Sequence, residues 1–257
     1  MKYKQYEALA LFYDGLNPDV DYVRWADFIK KVFDKYCKSE PKLVLDLACG
    51  TGSMSVELSK LGYEMIGVDL SSEMLMEAQQ KAYEEGQRIL FLNQNMCELD
   101  LYGTVDGAVC CLDSLNYLTD EKDLEKTLAL VNNFMNDGGI FVFDVNTPHK
   151  FKTVYGNNAY ILEDDNVLCA WQNTFDETSG ICDFDLSFFA LQDDGSYRRF
   201  DESQRERMYE DENLRRLLEK TSFEVLAVCS DYDFPKYKET DERWYYICRA
   251  NNKNKME

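Results

Sequence analysis

Two carboxylates and two glycines define the chemistry open to this chain. Asp46 lies in the apolar run Leu43–Leu47, Gly50 and Gly52 follow it directly, and Asp69 closes the next apolar run, Tyr63–Leu70. Gly50 and Gly52 permit a tight turn, because glycine enters the left-handed region without steric cost. A helix starting near Ser53 points its free N–H groups back over that turn. An acid about 20 residues past such a loop suits bidentate acceptance from ribose hydroxyls. A dinucleotide fits only in part. Its third glycine position falls on Ser55, and Asp46 would repel a pyrophosphate yet suit an ammonium or sulfonium. Further polar residues follow the apolar run Ala108–Leu112: Asp113, Ser114, Asn116 and Tyr117. His149, the one histidine, follows the run Ile140–Asn146 and is the candidate general base, with a surface-loop histidine as the alternative.

The elements that hold these residues read as alternating strands and helices. Strands are expected at 43–47, 63–70, 88–93, 105–112 and 140–146. Helices are expected at 53–61, from Ser71 or Ser72 to about Gly86, and at 120–136, the last stopped by Asp137-Gly138-Gly139. Ligands bind such sheets outside the carboxyl ends of the strands. Before the core, Tyr22, Trp25, Ile29, Val32, Phe33 and Tyr36 recur at helical spacing. From about Ala159 to Met208 the period becomes two: Cys182, Phe184, Leu186 and Phe188 alternate with polar residues, and turn clusters separate three or four strands. Within this stretch Arg205 and Arg207 read as charges on an exposed strand. A helix over 211–220 and strands at 223–229 and 244–248 return to the core, and 251–257 is a polar tail.

The residues Val44-Leu45-Asp46-Leu47-Ala48-Cys49-Gly50-Thr51-Gly52 and Ile66-Gly67-Val68-Asp69-Leu70-Ser71-Ser72-Glu73-Met74-Leu75 resemble class I S-adenosylmethionine (SAM)-dependent methyltransferases. Among these the chain looks closest to bacterial YqeM-like proteins and to glycine and amino-sugar N-methyltransferases. The resemblance implies an α/β Rossmann-like sheet with helices on both faces and an inserted antiparallel β-sheet. Its divisions would be a helical lid over 1–36, a SAM-binding core over 37–150, an insertion over 151–209 and a return to the core over 210–250. It implies SAM as cofactor, with contacts at Tyr13, Trp25, Asp46, Ala48, Gly50, Gly52, Asp69, Leu70, Met74, Asn95, Met96 and Leu112. Tyr13, Asn116 and His149 are the catalytic candidates, with capping of the following helix an equal reading for Asn116. Three positions depart from the family pattern: Ala48 replaces a common glycine, Asn95 a common adenine-binding acid, and Gln204 a common histidine.

Composition narrows the partners. The 257 residues carry a formal net charge of -20, which repels phosphate backbones and makes nucleic acid, tRNA included, an unfavourable partner. No run approaches the roughly 20 apolar residues of a membrane span. Nine cysteines without metal-ligand spacing fit reduced thiols in a cytoplasm. No base-amino or cytosine-methylation signature is present, and no acids stand at metal-ligand spacing. A small-molecule nitrogen or oxygen is therefore the expected acceptor. A nicotinamide dehydrogenase and a SAM-binding regulatory module are the competing readings.

Overall fold

The computed structural model describes residues 20–164, 166–230, 232 and 237–252. The first helix among the described residues, α1 (Tyr22–Tyr36), is capped by Asp21, whose carboxylate accepts from the Arg24 N–H at 2.9 Å. The core then alternates: β1 (Leu43–Leu47), α2 (Ser53–Lys60), β2 (Glu64–Asp69), α3 (Ser72–Glu84), β3 (Leu90–Asn93), β4 (Val105–Cys110), α4 (Glu121–Phe134) and β5 (Met135–Asn146). Four strands follow, β6 (Ala159–Asp164), β7 (Val167–Asp176), β8 (Ile181–Leu191) and β9 (Tyr197–Arg207). The chain closes with α5 (Asp211–Lys220), β10 (Phe223–Cys229) and β11 (Arg243–Ala250).

The core strands form a seven-stranded sheet of order β10-β11-β5-β4-β1-β2-β3. β1 to β5 are parallel to one another, and β11 is antiparallel to both β5 and β10. One face is covered by α4 and α5 through Leu124, Leu128, Leu214, Leu217 and Leu218. The other is covered by α1 and α2: Phe28, Ile29, Val32 and Phe33 meet Met54, Leu58, Val142 and Ile247. The central strands are buried on both faces, which is why they read as continuous apolar runs. β5 starts at Met135, earlier than the glycine pair implies, because Met135 is already extended and pairs with Val105.

β6 to β9 form a separate four-stranded antiparallel sheet in sequential order. Gly180 and Gly195, with φ of +70° and +80°, turn two of its hairpins. Its dry face packs Cys169, Phe184, Phe188 and Phe200 against Phe151 and Tyr155. The mixed sheet with flanking helices and the inserted antiparallel sheet are those the sequence predicts. Among the described residues, no helix is long and apolar enough to cross a membrane.

Candidate active site

A cavity of about 750 Å³ lies over the carboxyl ends of β1, β2 and β4 and under the dry face of the inserted sheet. Such a volume is typical of small-ligand sites. One end is built by the glycine turn. Gly50 and Gly52 have φ of +54° and +74°. A Cβ on Gly52 would lie 2.8 Å from the Cβ of Ala78, so this glycine lets α2 approach α3. A Cβ on Gly50 would meet no protein atom within 4 Å, so this glycine leaves open a cradle facing the cavity. Asp69 fixes the turn. Its Oδ2 accepts from the Gly50 N–H at 2.8 Å and its Oδ1 from the Ser71 N–H at 2.9 Å. Burial raises its carboxyl above the usual range, against those backbone hydrogen bonds. Each oxygen keeps a lone pair for a ligand hydroxyl.

Leu70, Met74, Asn95, Met96 and Leu112 line the same end with Ala48 and Asp69. The Asn95 carbonyl accepts from the Cys97 N–H at 2.9 Å and so caps the short turn Met96–Glu98. Asp46 is 1 % exposed and borders a smaller adjoining cavity of about 40 Å³ with Ala48 and Gly50. Its Oδ2 accepts from the Ser55 hydroxyl at 2.5 Å, so the residue at the missing third-glycine position holds the acid. Burial pushes the Asp46 carboxyl up to about 7.

The other end is polar and aromatic. At the tip of β4, Leu112 and Asp113 both adopt left-handed φ, +56° and +52°. Such conformations cost roughly 1–3 kcal/mol each and persist only where surroundings enforce them. Here the enforcement comes from β5 and β11. The Asp113 N–H donates to Asp144 Oδ2 at 2.9 Å, and Arg243 bridges Asp113 at 2.7 Å and Asp144. Burial pushes the Asp144 carboxyl up to about 6, with Arg243 opposing. Beside this group Lys150 donates to Asn146 Oδ1 at 2.9 Å, and Asn146 Nδ2 donates to Glu206 Oε2 at 3.0 Å. Burial and Arg243 lower the Lys150 ammonium, while burial and Asp113 raise the Glu206 carboxyl. Tyr155, Tyr160, Trp171 and Phe184 supply rings, and Tyr117 donates to Gln204 at 2.9 Å.

Several predicted site residues lie elsewhere. Trp25 is 2 % exposed and packs edge-on to Tyr245 at 5.6 Å, because the face of α1 that carries it turns toward the sheet. Asn116 is fully buried as a strut, accepting from the Asn146 N–H at 3.0 Å and donating to the Arg207 carbonyl at 2.8 Å. His149 faces Thr153, 3.3 Å from its hydroxyl, and does not line the cavity; the next residue, Lys150, does. Tyr13 lies outside the described residues. Arg205 is exposed and paired with Asp183 at 2.6 Å, as expected, whereas Arg207 is half-buried and donates to the Thr119 carbonyl at 2.9 Å. Sequence reasoning missed Lys150, Glu206 and Arg243. Two left a trace: Lys150 lies in the segment that leaves the carboxyl end of the run Ile140–Asn146, and Glu206 alternates with Arg205 and Arg207.

Comparison with known proteins settles the family. Residues 44–139 match the model of a methyltransferase domain. The chain is 34 % identical over 244 residues to YqeM of Bacillus subtilis (strain 168), provisionally named a methyltransferase, covering 94 % of this chain and 95 % of that one. It belongs to the class I SAM-dependent methyltransferases. The family's cofactor is SAM, and the cradle at Gly50 beside Asp69 fits it. The crystal structure of a SAM-dependent methyltransferase from Clostridium acetobutylicum superposes with a TM-score of 0.87 at 34 % identity, covering 96 % of this chain and 99 % of that one. SAM-bound CalS10, an amino pentose methyltransferase from Micromonospora echinaspora, shares the fold with a TM-score of 0.73 at 16 % identity, covering 98 % and 100 %. Membership in this methyltransferase family displaces the nicotinamide dehydrogenase reading.

Proposed function

We propose that this methyltransferase moves the SAM methyl group to a nitrogen or oxygen of a small molecule held between the strand tips and the inserted sheet. The observation that carries this reading is the continuity of the cavity, which runs from Gly50 and Asp69 to the rings of Tyr155, Trp171 and Phe184. SAM supplies a methyl carbon already activated by positive sulfur. Asp69 would accept from the ribose hydroxyls, Asn95 and Met96 would border the adenine, and the methionine part would lie over Ala48 and Gly50. Asp46 would border the cationic portion from the smaller adjoining cavity it shares with Ala48 and Gly50.

Alignment of the acceptor with the methyl group then does most of the work, and such positioning contributes roughly 7–11 kcal/mol. The inserted sheet excludes water from the acceptor. The named activity of CalS10 and the net charge of -20 both favour a small molecule over nucleic acid. All nine cysteines are free, which supports a reducing cytoplasm. The test is incubation of the protein with methyl-labelled SAM and a fractionated metabolite extract. Label in a low-mass product, with equimolar S-adenosylhomocysteine, is expected. Tight SAM binding without label in any fraction would favour a binding module and refute transfer.

A further inference from the structure

The inward face of β9 carries an unusual residue for a sheet interior. Phe200, Glu202, Gln204 and Glu206 alternate on that side, and Glu206 is 3 % exposed. Its Oε2 accepts from Asn146, while its Oε1 has no protein hydrogen bond among the described residues and the side chain borders the cavity. An acceptor oxygen left open at a cavity wall, on a side chain otherwise buried and held by Asn146, is placed to receive a ligand donor. The rings beside it on the same face of the sheet, with Tyr155 packed on them, are close enough to act as one surface. Tyr155 and Phe184 lie 5.0 Å apart, Trp171 and Phe184 5.7 Å, and Tyr155 and Trp171 6.0 Å. Aromatic faces beside a carboxylate attract a cation.

The same wall disfavours an anionic acceptor. Arg243 is committed to Asp113 and Asp144, and Lys150 donates to Asn146. The Arg243 guanidinium is thus balanced by two carboxylates, and the Lys150 ammonium is held between Asn146 and the Tyr155 ring, 4.9 Å from its centroid.

We propose that the acceptor is a small amine and that Glu206 Oε1 receives the proton its nitrogen gives up. This rests on the transferase reading above. The amine arrives as an ammonium, donates to Oε1 and passes its proton there, which frees the nitrogen lone pair. That pair forms the new bond to the methyl carbon as the carbon–sulfur bond breaks and its electrons return to sulfur, leaving a neutral thioether. Glu206 returns its first proton to solvent through the cavity mouth, and the methylated ammonium leaves charged.

In water an alkylammonium and a carboxylic acid are about a millionfold apart in acidity. Burial narrows that gap from both sides, raising the acid and lowering the ammonium. Glu206 is raised well above its ordinary value, in a setting that also includes Asp113, Lys150, Arg243, Tyr155 and Cys182.

The test uses the full-length protein, methyl-¹³C SAM and a metabolite extract divided in two, one half pretreated with an amine-selective acylating reagent. Amine acylation should abolish transfer, and the product from the untreated half should show an N-methyl carbon resonance. Glu206→Gln keeps an acceptor for Asn146 and should lower turnover about 10²- to 10⁴-fold, with calorimetric SAM affinity within twofold of native. Transfer that survives acylation, an O-methyl product, or native turnover in Glu206→Gln would overturn the inference and leave the transferase reading standing. The acylation arm needs no variant, so misfolding of Glu206→Gln cannot mask the answer. No transfer from either half would remove both readings.

Discussion

Replacing Asp69 is the most direct probe of the donor end. Asp69→Ala removes two acceptors from the backbone, at Gly50 and Ser71, and in the proposed complex two acceptors from the ribose. Hydrogen bonds to charged groups contribute about 1.5–3 kcal/mol each. Two at the lower figure give about 3 kcal/mol, or about 150-fold in Kd. The loosened turn would weaken binding too, so a fall in affinity alone does not identify the ribose. Titration calorimetry with S-adenosylhomocysteine and its 2′-deoxy analogue closes a cycle that does. The native protein should lose about tenfold or more toward the deoxy ligand, and Asp69→Ala should discriminate much less. Urea unfolding without ligand reports the damage to the turn separately. Equal discrimination by native and variant proteins would refute the ribose contact, however far both affinities had fallen.

Three further outcomes follow from the geometry. Ala48 has φ of +57°, a conformation costing roughly 1–2 kcal/mol with a side chain; glycine recovers this but gives back up to about 1 kcal/mol through the freer unfolded chain. Ala48→Gly should therefore be neutral or stabilising by urea titration and Ala48→Val destabilising, and a clear loss in the glycine variant would contradict the strain. The Asp46 carboxyl, pushed up to about 7 by burial, binds a proton in the folded state that the unfolded chain releases near 4. Its contribution to stability thus falls as pH rises from about 4 to about 7, by at most about 4 kcal/mol. Asp46→Asn should flatten that slope, and an unchanged slope would refute the assignment. Arg243→Met strands Asp144 and Asp113 without their cation and should cost about 3–5 kcal/mol. The deficit should be larger at pH 8 than at pH 5, because Asp144, already pushed to about 6, then protonates more readily; equal deficits would argue against a charge effect.

The glycine cradle and its acid were legible because their parts are local. A strand, two glycines, a helix and an acid at the next strand tip lie within 27 residues, Leu43 to Asp69, and each has a sequence signal of its own. Ser55 shows the limit even here. It reads as the absence of a glycine, whereas in the fold it is the hydroxyl that holds Asp46. Trp25, Asn116 and His149 lie off the cavity wall for one shared reason. Residue type and helical or loop placement were visible, but the direction of the side chain depended on which neighbour covered it: Tyr245 for Trp25, the β5 edge for Asn116 and Thr153 for His149.

The polar end of the cavity comes from three separate stretches, and no spacing connects Lys150, Glu206 and Arg243. Parity could still have found one of them. β8 has Phe184 and Leu186 on its dry face, and these stand opposite Gln204 and Glu202 in register. Side chains opposite one another across an antiparallel pair share a face. Once the β8 phenylalanines are taken as the inner side, the even positions of β9 must be inner as well. Glu202, Gln204 and Glu206 then have to be dry, while Arg205, the residue that looks charged and functional, points to solvent. Acids and amides on the apolar side of a hairpin need polar partners, and Tyr117, Asn146 and one another supply them here. That contradiction between face and residue type was present in the sequence, and it marks the wall where the acceptor is proposed to sit.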